Sequence, residues 1–263
     1  MIKAAAANVV GRSHAQSGKP CQDAFRTRNL GNRACIALAD GAGSKRHSRV
    51  GANALVKLVA QLLLDEFDRF YTGILEAQEN VAAEIITRCK VVLDEKAARR
   101  HCPVSEFAST LLFFACDTHR YIAGHIGDGV IVGRFGNRVV TLSEPQNGEY
   151  ANATFFVTDP DAIRRLRLYT GEYGDNLGVV LMSDGTAESL YNKATRQAGT
   201  GVSRMLDVFL ELSGFEMKKV FQENLVQVLS KKSFDDCAIA ALVAIHRGRA
   251  KLLAERRSDS VSL

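Results

Sequence analysis

The sequence predicts an α+β protein in which helices pack outside stacked antiparallel sheets, and three observations support this prediction. Two long stretches, 48–67 and 80–99, carry apolar residues at helical spacing. A series of short strand-like runs follows, with no room between them for crossover helices, which favours antiparallel pairing. Two further helical stretches, 202–212 and 216–229, precede a final apolar strand.

The strands are predicted from short apolar runs bounded by turn residues. In chain order these runs are 2–10, 34–39, 108–116, 121–126, 130–135, 139–142, 154–157, 177–182 and 237–245. Between consecutive runs, Gly127–Gly129 and Gly136-Asn137 are typical of tight hairpin turns. The middle of the chain is therefore expected to form an antiparallel meander.

The two long helices are predicted from their apolar stripes. In 48–67, Ala54, Leu58 and Leu62 recur at intervals of four residues. In 80–99, Val81 and Ile85 lie on one face in the same way. We expect one domain over residues 1–246, followed by a charged tail over 247–263.

Composition narrows the class of protein. The chain has 263 residues and a net charge of +5, and the tail holds five Lys and Arg against two acids. The remaining body is close to neutral, which disfavours nucleic-acid binding. The longest apolar run, 237–245, is far shorter than the roughly 18–20 residues of a membrane span, so no membrane partner is expected. Six scattered cysteines without a Cys-x-x-Cys pair favour a reducing cytoplasm.

Carboxylates recur at the ends of the predicted strands. These residues are Asp23, Asp40, Asp128, Asp184 and Asp236, and glycine follows three of them. A single Asp-Gly is ordinary turn chemistry. Several at the ends of central strands would repel each other unless a cation neutralised them. Hard oxygen ligands select Mg²⁺ or Mn²⁺ rather than zinc, so the pattern predicts a metal site.

A set of short motifs occurs in a recognisable order between about residue 4 and residue 245. They are Gly11-x-Ser-His14, Cys21-Gln-Asp23-Ala24, Ala39-Asp-Gly-Ala-Gly43, Phe107-Ala-Ser-Thr110, Ile126-Gly-Asp-Gly129, Met182-Ser-Asp-Gly185 and Asp235-Asp-Cys-Ala238. Each motif alone has low specificity. Together, the chain resembles the bacterial-type branch of the PP2C (PPM) family, the metal-dependent protein serine/threonine phosphatases.

The resemblance implies a four-layer αββα sandwich of two antiparallel sheets flanked by helix pairs. It also implies two Mn²⁺ or Mg²⁺ ions, with a third held more loosely. By matching position, Asp40 bridges two ions, Asp184 and Asp236 complete the first, Asp23 and the Gly41 carbonyl hold the second, and Asp128 binds the third with Asp184. Asp40, Asp184, Asp236 and Asp23 are thus the expected catalytic set.

The implied reaction is hydrolysis of phosphoserine and phosphothreonine in proteins. A water activated between two divalent ions would attack phosphorus in line while the ions offset charge on the phosphoryl oxygens. The expected partners are phosphoprotein substrates and a cognate serine/threonine kinase.

The sequence departs from the family in its substrate contacts. Many relatives carry an arginine about five residues before the Asp23 position, where this chain has Gly18. Aligned from Gly11, His14 is the candidate phosphate contact and Arg12 the second, although both also suit a solvated loop. Animal-type relatives have a proposed proton donor, a histidine, where this chain has Ala42, so that step is unassigned.

Other classes of protein compete with this interpretation. No cysteine has an arginine six positions later, which excludes the cysteine-dependent phosphatases. The segment 155–163, with Asp159-Pro-Asp161, locally resembles an aspartyl-phosphate enzyme, but the hairpins argue against the parallel sheet that class needs. A phosphoprotein-binding or sensor module with the same fold and little turnover is the alternative that remains.

Overall fold

Two five-stranded antiparallel sheets form the centre of the protein in a computed structural model that describes residues 1–146, 154–174 and 176–245. The first sheet has the order β1 (Ile2–Val9), β12 (Cys237–Ile245), β9 (Asn176–Met182), β6 (Val130–Phe135) and β7 (Arg138–Ser143). The second has the order β2 (Ala24–Leu30), β3 (Arg33–Ala39), β4 (Leu111–Cys116), β5 (Arg120–Ile126) and β8 (Arg167–Glu172). A two-stranded ribbon pairs β10 (Tyr191–Asn192) with β11 (Gln197–Ala198).

Helices cover the outer face of each sheet. They are α1 (Arg12–Gln16), α2 (Ser48–Asp65), α3 (Phe67–Arg100), α4 (Ala162–Arg165), α5 (Asp184–Leu190), α6 (Thr200–Glu211) and α7 (Gly214–Asn224), with a 3₁₀ turn at Val104–Phe107 and a π turn at Leu225–Leu229. α2 and α3 pack on the second sheet, and α6 and α7 pack on the first. The predicted four-layer αββα sandwich is confirmed.

The central strands are buried on both faces, which explains their continuous apolar sequences. In β4, Leu111 and Phe113 pack against the helices, whereas Leu112 and Phe114 pack against the opposite sheet. Because alternate side chains of a strand point to opposite faces, one strand contributes to two cores. The core between the sheets is made by residues such as Leu181 of β9.

The structure corrects several predicted elements. Residues 154–157 are not a strand, apart from a single bridge residue at Thr154. Gly127–Gly129 is not a hairpin turn, because β5 and β6 belong to different sheets and this segment crosses between them. Gly136, with a φ of 61°, does form the predicted hairpin between β6 and β7. The predicted start of the second long helix lies near a break in α3 at Ala77 (φ −154°, ψ 75°).

Two edge strands were missed because they lack an apolar run. β2 and β8 carry charged residues such as Arg26 and Glu172, which suits the exposed side of an edge strand. The predicted tail over 247–263 lies outside the described residues. Among the residues that are described, no helix has both the length and the apolar character needed to cross a membrane.

Strand register brings the chosen aspartates to one end of the sandwich. In the second sheet, Ala39 pairs with Ala24, so the residues beyond them, Asp40 and Asp23, lie at the same edge. In the first sheet, Met182 pairs with both Ile239 and Val130. The ends of β9, β12 and β6 therefore lie side by side, and their flanking carboxylates are neighbours.

Candidate metal centre

An acidic cavity of about 380 Å³ opens at this end of the sandwich. Four carboxylates line it: Asp40 after β3, Asp128 between β5 and β6, Asp184 at the start of α5, and Asp235 before β12. Lys193, from the turn between β10 and β11, also lines the cavity. Five separate segments of the chain thus contribute charged groups to one space.

Backbone contacts fix the segment that carries Asp40. Its N–H donates to the hydroxyl of Thr110 at 2.9 Å, and the Thr110 N–H donates to the Asp40 carbonyl at 2.9 Å. Gly41 is required beside it, because a Cβ there would lie 2.9 Å from the Gln22 carbonyl oxygen. The tight turn leaves the Asp40 side chain and Gly41 on the cavity wall.

Asp23 is almost fully buried, with 2% of its surface exposed. Within the part of the chain that the structure describes, neither of its carboxylate oxygens has a hydrogen-bond partner. The neighbouring Ser183 hydroxyl accepts from the Ala238 N–H at 2.9 Å, and its interaction with Asp23 lowers the pKa of that acid by less than burial raises it. A buried carboxylate without a donor is costly unless it is protonated or a cation lies beside it.

Burial and mutual repulsion raise the pKa values of these acids. Burial is the larger cause for Asp40, followed by the charges of Asp23 and Asp184. Burial and the charges of Asp128 and Asp235 raise the pKa of Asp184 to about 7. The pKa of Asp23 is raised well above its usual range and that of Asp128 is raised, again chiefly by burial. The cavity therefore carries more negative charge than its protein surroundings neutralise.

The donor set fits hard divalent cations. It consists of carboxylates and the Gly41 backbone, which are the oxygen ligands that Mg²⁺ and Mn²⁺ prefer. In residues 1–146, 154–174 and 176–245, no group of three or more His, Cys, Asp and Glu side chains is arranged to hold one ion. Mg²⁺ is usually bound by one or two carboxylates and keeps several waters, so a triple cluster is not needed.

The adjacent residues Asp235 and Asp236 have different surroundings. The Asp236 carboxylate accepts hydrogen bonds from the backbone N–H groups of Gly11 and Gln22, each at 2.6 Å, and lies 2.9 Å from His14 Nδ1. Asp235 rather than Asp236 lines the acidic cavity. The oxygens of Asp236 are bonded to the loop around Gly11, and the expectation from sequence that Asp236 is a metal ligand stays a prediction.

The two expected phosphate contacts have different surroundings. His14 lines a second cavity of about 410 Å³, which shares Gly43 and Asp235 with the acidic cavity. The guanidinium of Arg12 lies 4.1 Å from the ring centre of the exposed Phe234, and its Nε donates to the Ser233 carbonyl. The structure thus brings His14, but not Arg12, to the edge of the candidate site.

Sequence reasoning missed three residues at this site. Asp235 could have been found, since it stands beside an aspartate that was chosen. Lys193 gave no signal, because a lysine in a polar turn is ordinary and its approach to the cavity depends on the ribbon β10–β11. Gln22, which is 7% exposed, has an amide oxygen without a hydrogen-bond partner among the described residues.

Comparison with known proteins places the chain among phosphatases. The family model described as protein phosphatase 2C matches residues 10–230. The serine/threonine-protein phosphatase 3 of Escherichia coli (strain K12) is 30% identical over 169 residues, which cover 62% of this chain and 66% of that protein.

Solved structures share the fold at low sequence identity. A serine/threonine phosphatase from Staphylococcus aureus superposes with a TM-score of 0.59 at 14% identity, covering 94% of this chain and 96% of that chain. The catalytic domain of the serine/threonine protein phosphatase PstP, in complex with two manganese ions, gives a TM-score of 0.58 at 13% identity, covering 93% and 99%. The resemblance drawn from the sequence motifs is confirmed, and the chain belongs to the protein phosphatase 2C family.

Proposed function

We propose that this protein hydrolyses phosphoserine and phosphothreonine in other proteins at the acidic cavity, with Mn²⁺ or Mg²⁺ as cofactor. One observation carries the proposal: Asp23 is buried with no hydrogen-bond partner for its carboxylate within the described ranges, beside carboxylates that repel it. The chain belongs to a phosphatase family, and a solved structure with this fold contains two manganese ions, which supports cation binding by these carboxylates. The relative's matched region is about two thirds of its length, so its activity is carried over here only as a proposal.

The proposed ligands follow from the charges around each carboxylate. Asp40 interacts with the charges of Asp23, Asp184, Asp128 and Asp235, which suits the residue shared by two ions. Asp184 would complete the pair of carboxylates on the first ion, with the charge of Asp235 beside it, and Asp23 with the Gly41 carbonyl would hold the second. Asp128 with Asp184 would hold a third. Asp235 lines the cavity, whereas the oxygens of Asp236 are bonded to the loop around Gly11.

When bound, the divalent ions would supply an activated water near neutral pH and would offset charge on the phosphoryl oxygens. The protein's own groups orient this site. Thr154 donates to Asp128 at 2.5 Å, and Thr110 fixes the backbone of Asp40. Lys193 brings a positive charge to the cavity wall, where it would contact the phosphoryl group of the substrate.

The proposed partners are phosphoproteins and a cognate serine/threonine kinase, whose phosphorylation this enzyme would reverse. Six free cysteines, several of them buried in the two cores, suit a reducing cytoplasm. Burial raises the pKa of the thiols of Cys35 and Cys89, which keeps them protonated and unreactive.

The test is hydrolysis of a phosphothreonine peptide with and without Mn²⁺. We expect turnover that requires Mn²⁺, is abolished by EDTA, and is abolished in Asp184→Asn. The matched control is Asp207→Asn, because Asp207 is exposed and pairs with Arg134 away from the cavity. If the protein binds the peptide and Mn²⁺ yet leaves the phosphate in place, the sensor-module alternative is correct and the proposal is wrong.

A further inference from the structure

A carboxylate–imidazole pair lies beside the acidic cavity. Asp236, 1% exposed, accepts from the N–H groups of Gly11 and Gln22 at 2.6 Å and lies 2.9 Å from Nδ1 of His14. Two of these contacts are backbone donors, so the carboxylate is held in one orientation. An oriented carboxylate beside Nδ1 selects the form in which Nδ1 carries a proton, which leaves Nε2 for other chemistry.

The free side of the imidazole faces the junction of the two cavities. A Cβ placed on Gly43 would lie 3.8 Å from His14 Nε2 and 3.9 Å from Gln22 Oε1. Gly43 lines both the acidic cavity and the cavity that contains His14. Gln22 Oε1 is buried and has no hydrogen-bond partner in the described parts of the chain, so an unpaired acceptor points to the same place.

The reaction proposed above needs a proton donor for the leaving group. When the P–O bond to a serine or threonine breaks, the leaving oxygen is a strongly basic alkoxide unless it is protonated. Ala42, next to Gly43, has no proton to give. His14, which lines the second cavity, brings Nε2 close to Gly43, and Gly43 lines the acidic cavity as well.

We propose that Asp236 holds His14 so that Nε2 donates a proton to the leaving oxygen of phosphoserine or phosphothreonine. The proposal rests on the proposed function. Water forms the new P–O bond and loses a proton to solvent, while the electron pair of the old P–O bond goes to the leaving oxygen. The step starts with both ring nitrogens of His14 protonated: the leaving oxygen takes the Nε2 proton and departs as the neutral hydroxyl, and His14 is left neutral with its proton on Nδ1 towards Asp236. Solvent then returns a proton to His14, so the cycle consumes only water.

His14 is the catalytic residue in this scheme, and Asp236 is a positioning residue that acts through it. The test compares two substrates with Mn²⁺ present: a phosphothreonine peptide, and p-nitrophenyl phosphate, whose leaving group departs without protonation. General acid catalysis contributes about 10²–10⁴-fold. For His14→Ala and His14→Gln we expect kcat for the peptide to fall roughly 100-fold or more, and kcat for p-nitrophenyl phosphate to change less than about fivefold.

Asp236→Asn should lower kcat for the peptide at least about tenfold, again with p-nitrophenyl phosphate spared, because a misdirected imidazole is a poor donor. Ser17→Ala is the matched control: it removes hydrogen bonds to Ser13 and His14 carbonyls in the same short helix. Its kcat should stay within about twofold of wild type on both substrates. Retained p-nitrophenyl phosphate hydrolysis shows at once that each variant is folded and loaded with metal.

Three results would overturn the proposal. Equal losses on both substrates, or a change in KM alone, would make His14 a phosphate contact rather than a proton donor. Unchanged peptide turnover in the His14 variants would exclude any role. Normal peptide turnover in a folded Asp236→Asn would remove the positioning role. A wild-type protein inert on both substrates would instead contradict the proposed function, so the two failures are distinguishable.

Discussion

Two buried aspartates at opposite ends of the same sheet have opposite electrostatic surroundings. Asp117 follows β4 and accepts hydrogen bonds from the N–H groups of His119 and Arg120 and from the Arg120 guanidinium. Although burial raises it, these contacts leave the pKa of Asp117 below its usual range. Asp23 precedes β2, and burial and neighbouring carboxylates raise its pKa. The fold therefore stabilises the charged form of Asp117 and disfavours the charged form of Asp23.

The comparison shows what identifies a functional carboxylate. Both residues adjoin strands of the same sheet and both are under 10% exposed, so neither position nor burial separates them. The presence of donors does: the Asp117 carboxylate accepts four hydrogen bonds from His119 and Arg120, whereas the structure, over the residues it describes, places no donor within hydrogen-bond distance of the Asp23 carboxylate. A buried acid without a donor requires a partner that the chain itself does not supply.

The largest expected difference between the two ends is in catalysis. Asp40→Asn should lower kcat for a phosphothreonine peptide by about 10³-fold or more, because two cations would lose a shared ligand. Asp117→Asn should leave kcat and KM within about threefold of wild type, since that residue stabilises a distant turn. Steady-state kinetics with Mn²⁺ measures both. Comparable losses in the two variants would mean that Asp40 acts through stability alone.

The second difference is in stability and has opposite signs. In EDTA, Asp23→Asn should raise the free energy of unfolding by about 1–3 kcal/mol, because it removes an uncompensated buried charge. Asp117→Asn should lower it by about 1–3 kcal/mol, because buried donors lose an acceptor. Urea unfolding followed by circular dichroism measures both. Adding Mn²⁺ should stabilise wild type more than Asp23→Asn, and a destabilised Asp23→Asn in EDTA would contradict the comparison.

The fold was largely predictable because its central strands are buried on both faces. Runs such as Cys237–Ile245 are apolar throughout and cannot be solvent-exposed. The edge strands Ala24–Leu30 and Arg167–Glu172 were not predicted, since a strand with one exposed side needs few apolar residues. The segment Gly127–Gly129 looked like a hairpin because sequence shows that strands are adjacent in the chain, not which sheet each joins.

The site was predictable in its location and less so in its members. Aspartates at strand ends indicated the correct edge of the sheets, because register carries those ends together. The sequence could not show that Asp235 rather than Asp236 lines the cavity, since neighbouring residues differ only in the direction in which the loop orients their side chains. Lys193 reaches the cavity through tertiary packing, which no local pattern encodes.

Lys193 offers a smaller effect at the acidic end. Lys193→Ala should raise KM for a phosphothreonine peptide about three- to tenfold with little change in kcat, because an exposed cation contributes modestly to phosphate binding. The difference from wild type should shrink at 0.5 M NaCl, where charge is screened. Lys218→Ala, on the outer helix α7, is the control and should match wild type. A loss in kcat with unchanged KM would place Lys193 in the chemical step instead.

His125 is a buried titratable group of the opposite charge type and gives the smallest expected effect. It is fully buried, and its Nδ1 lies 2.8 Å from both the Ser143 hydroxyl and an Arg167 nitrogen. Arg167 also donates to the Glu144 carbonyl, and the Tyr169 and Ser143 hydroxyls are hydrogen-bonded to each other. The His125 ring therefore faces a cation, and among the described residues no carboxylate is hydrogen-bonded to the ring. Burial first, then the charge of Arg167, lowers the pKa of His125 well below its usual value, partly offset by the Gly127 backbone.

The sign of the pH effect follows from that lowered pKa. Above the unfolded pKa of about 6.5 both states are neutral and His125 has no effect. As the pH falls below about 6.5, His125 binds a proton in the unfolded chain but not in the folded protein. The free energy of unfolding should therefore fall by up to about 1.4 kcal/mol per pH unit. Urea unfolding in EDTA from pH 8 to pH 5 should show a shallower loss in His125→Gln than in wild type, since the shared acid cluster cancels in the difference. Identical slopes would mean that His125 is protonated in the folded protein. The difference between buried groups whose charged form the fold disfavours and those whose charged form it stabilises would then hold only for the carboxylates.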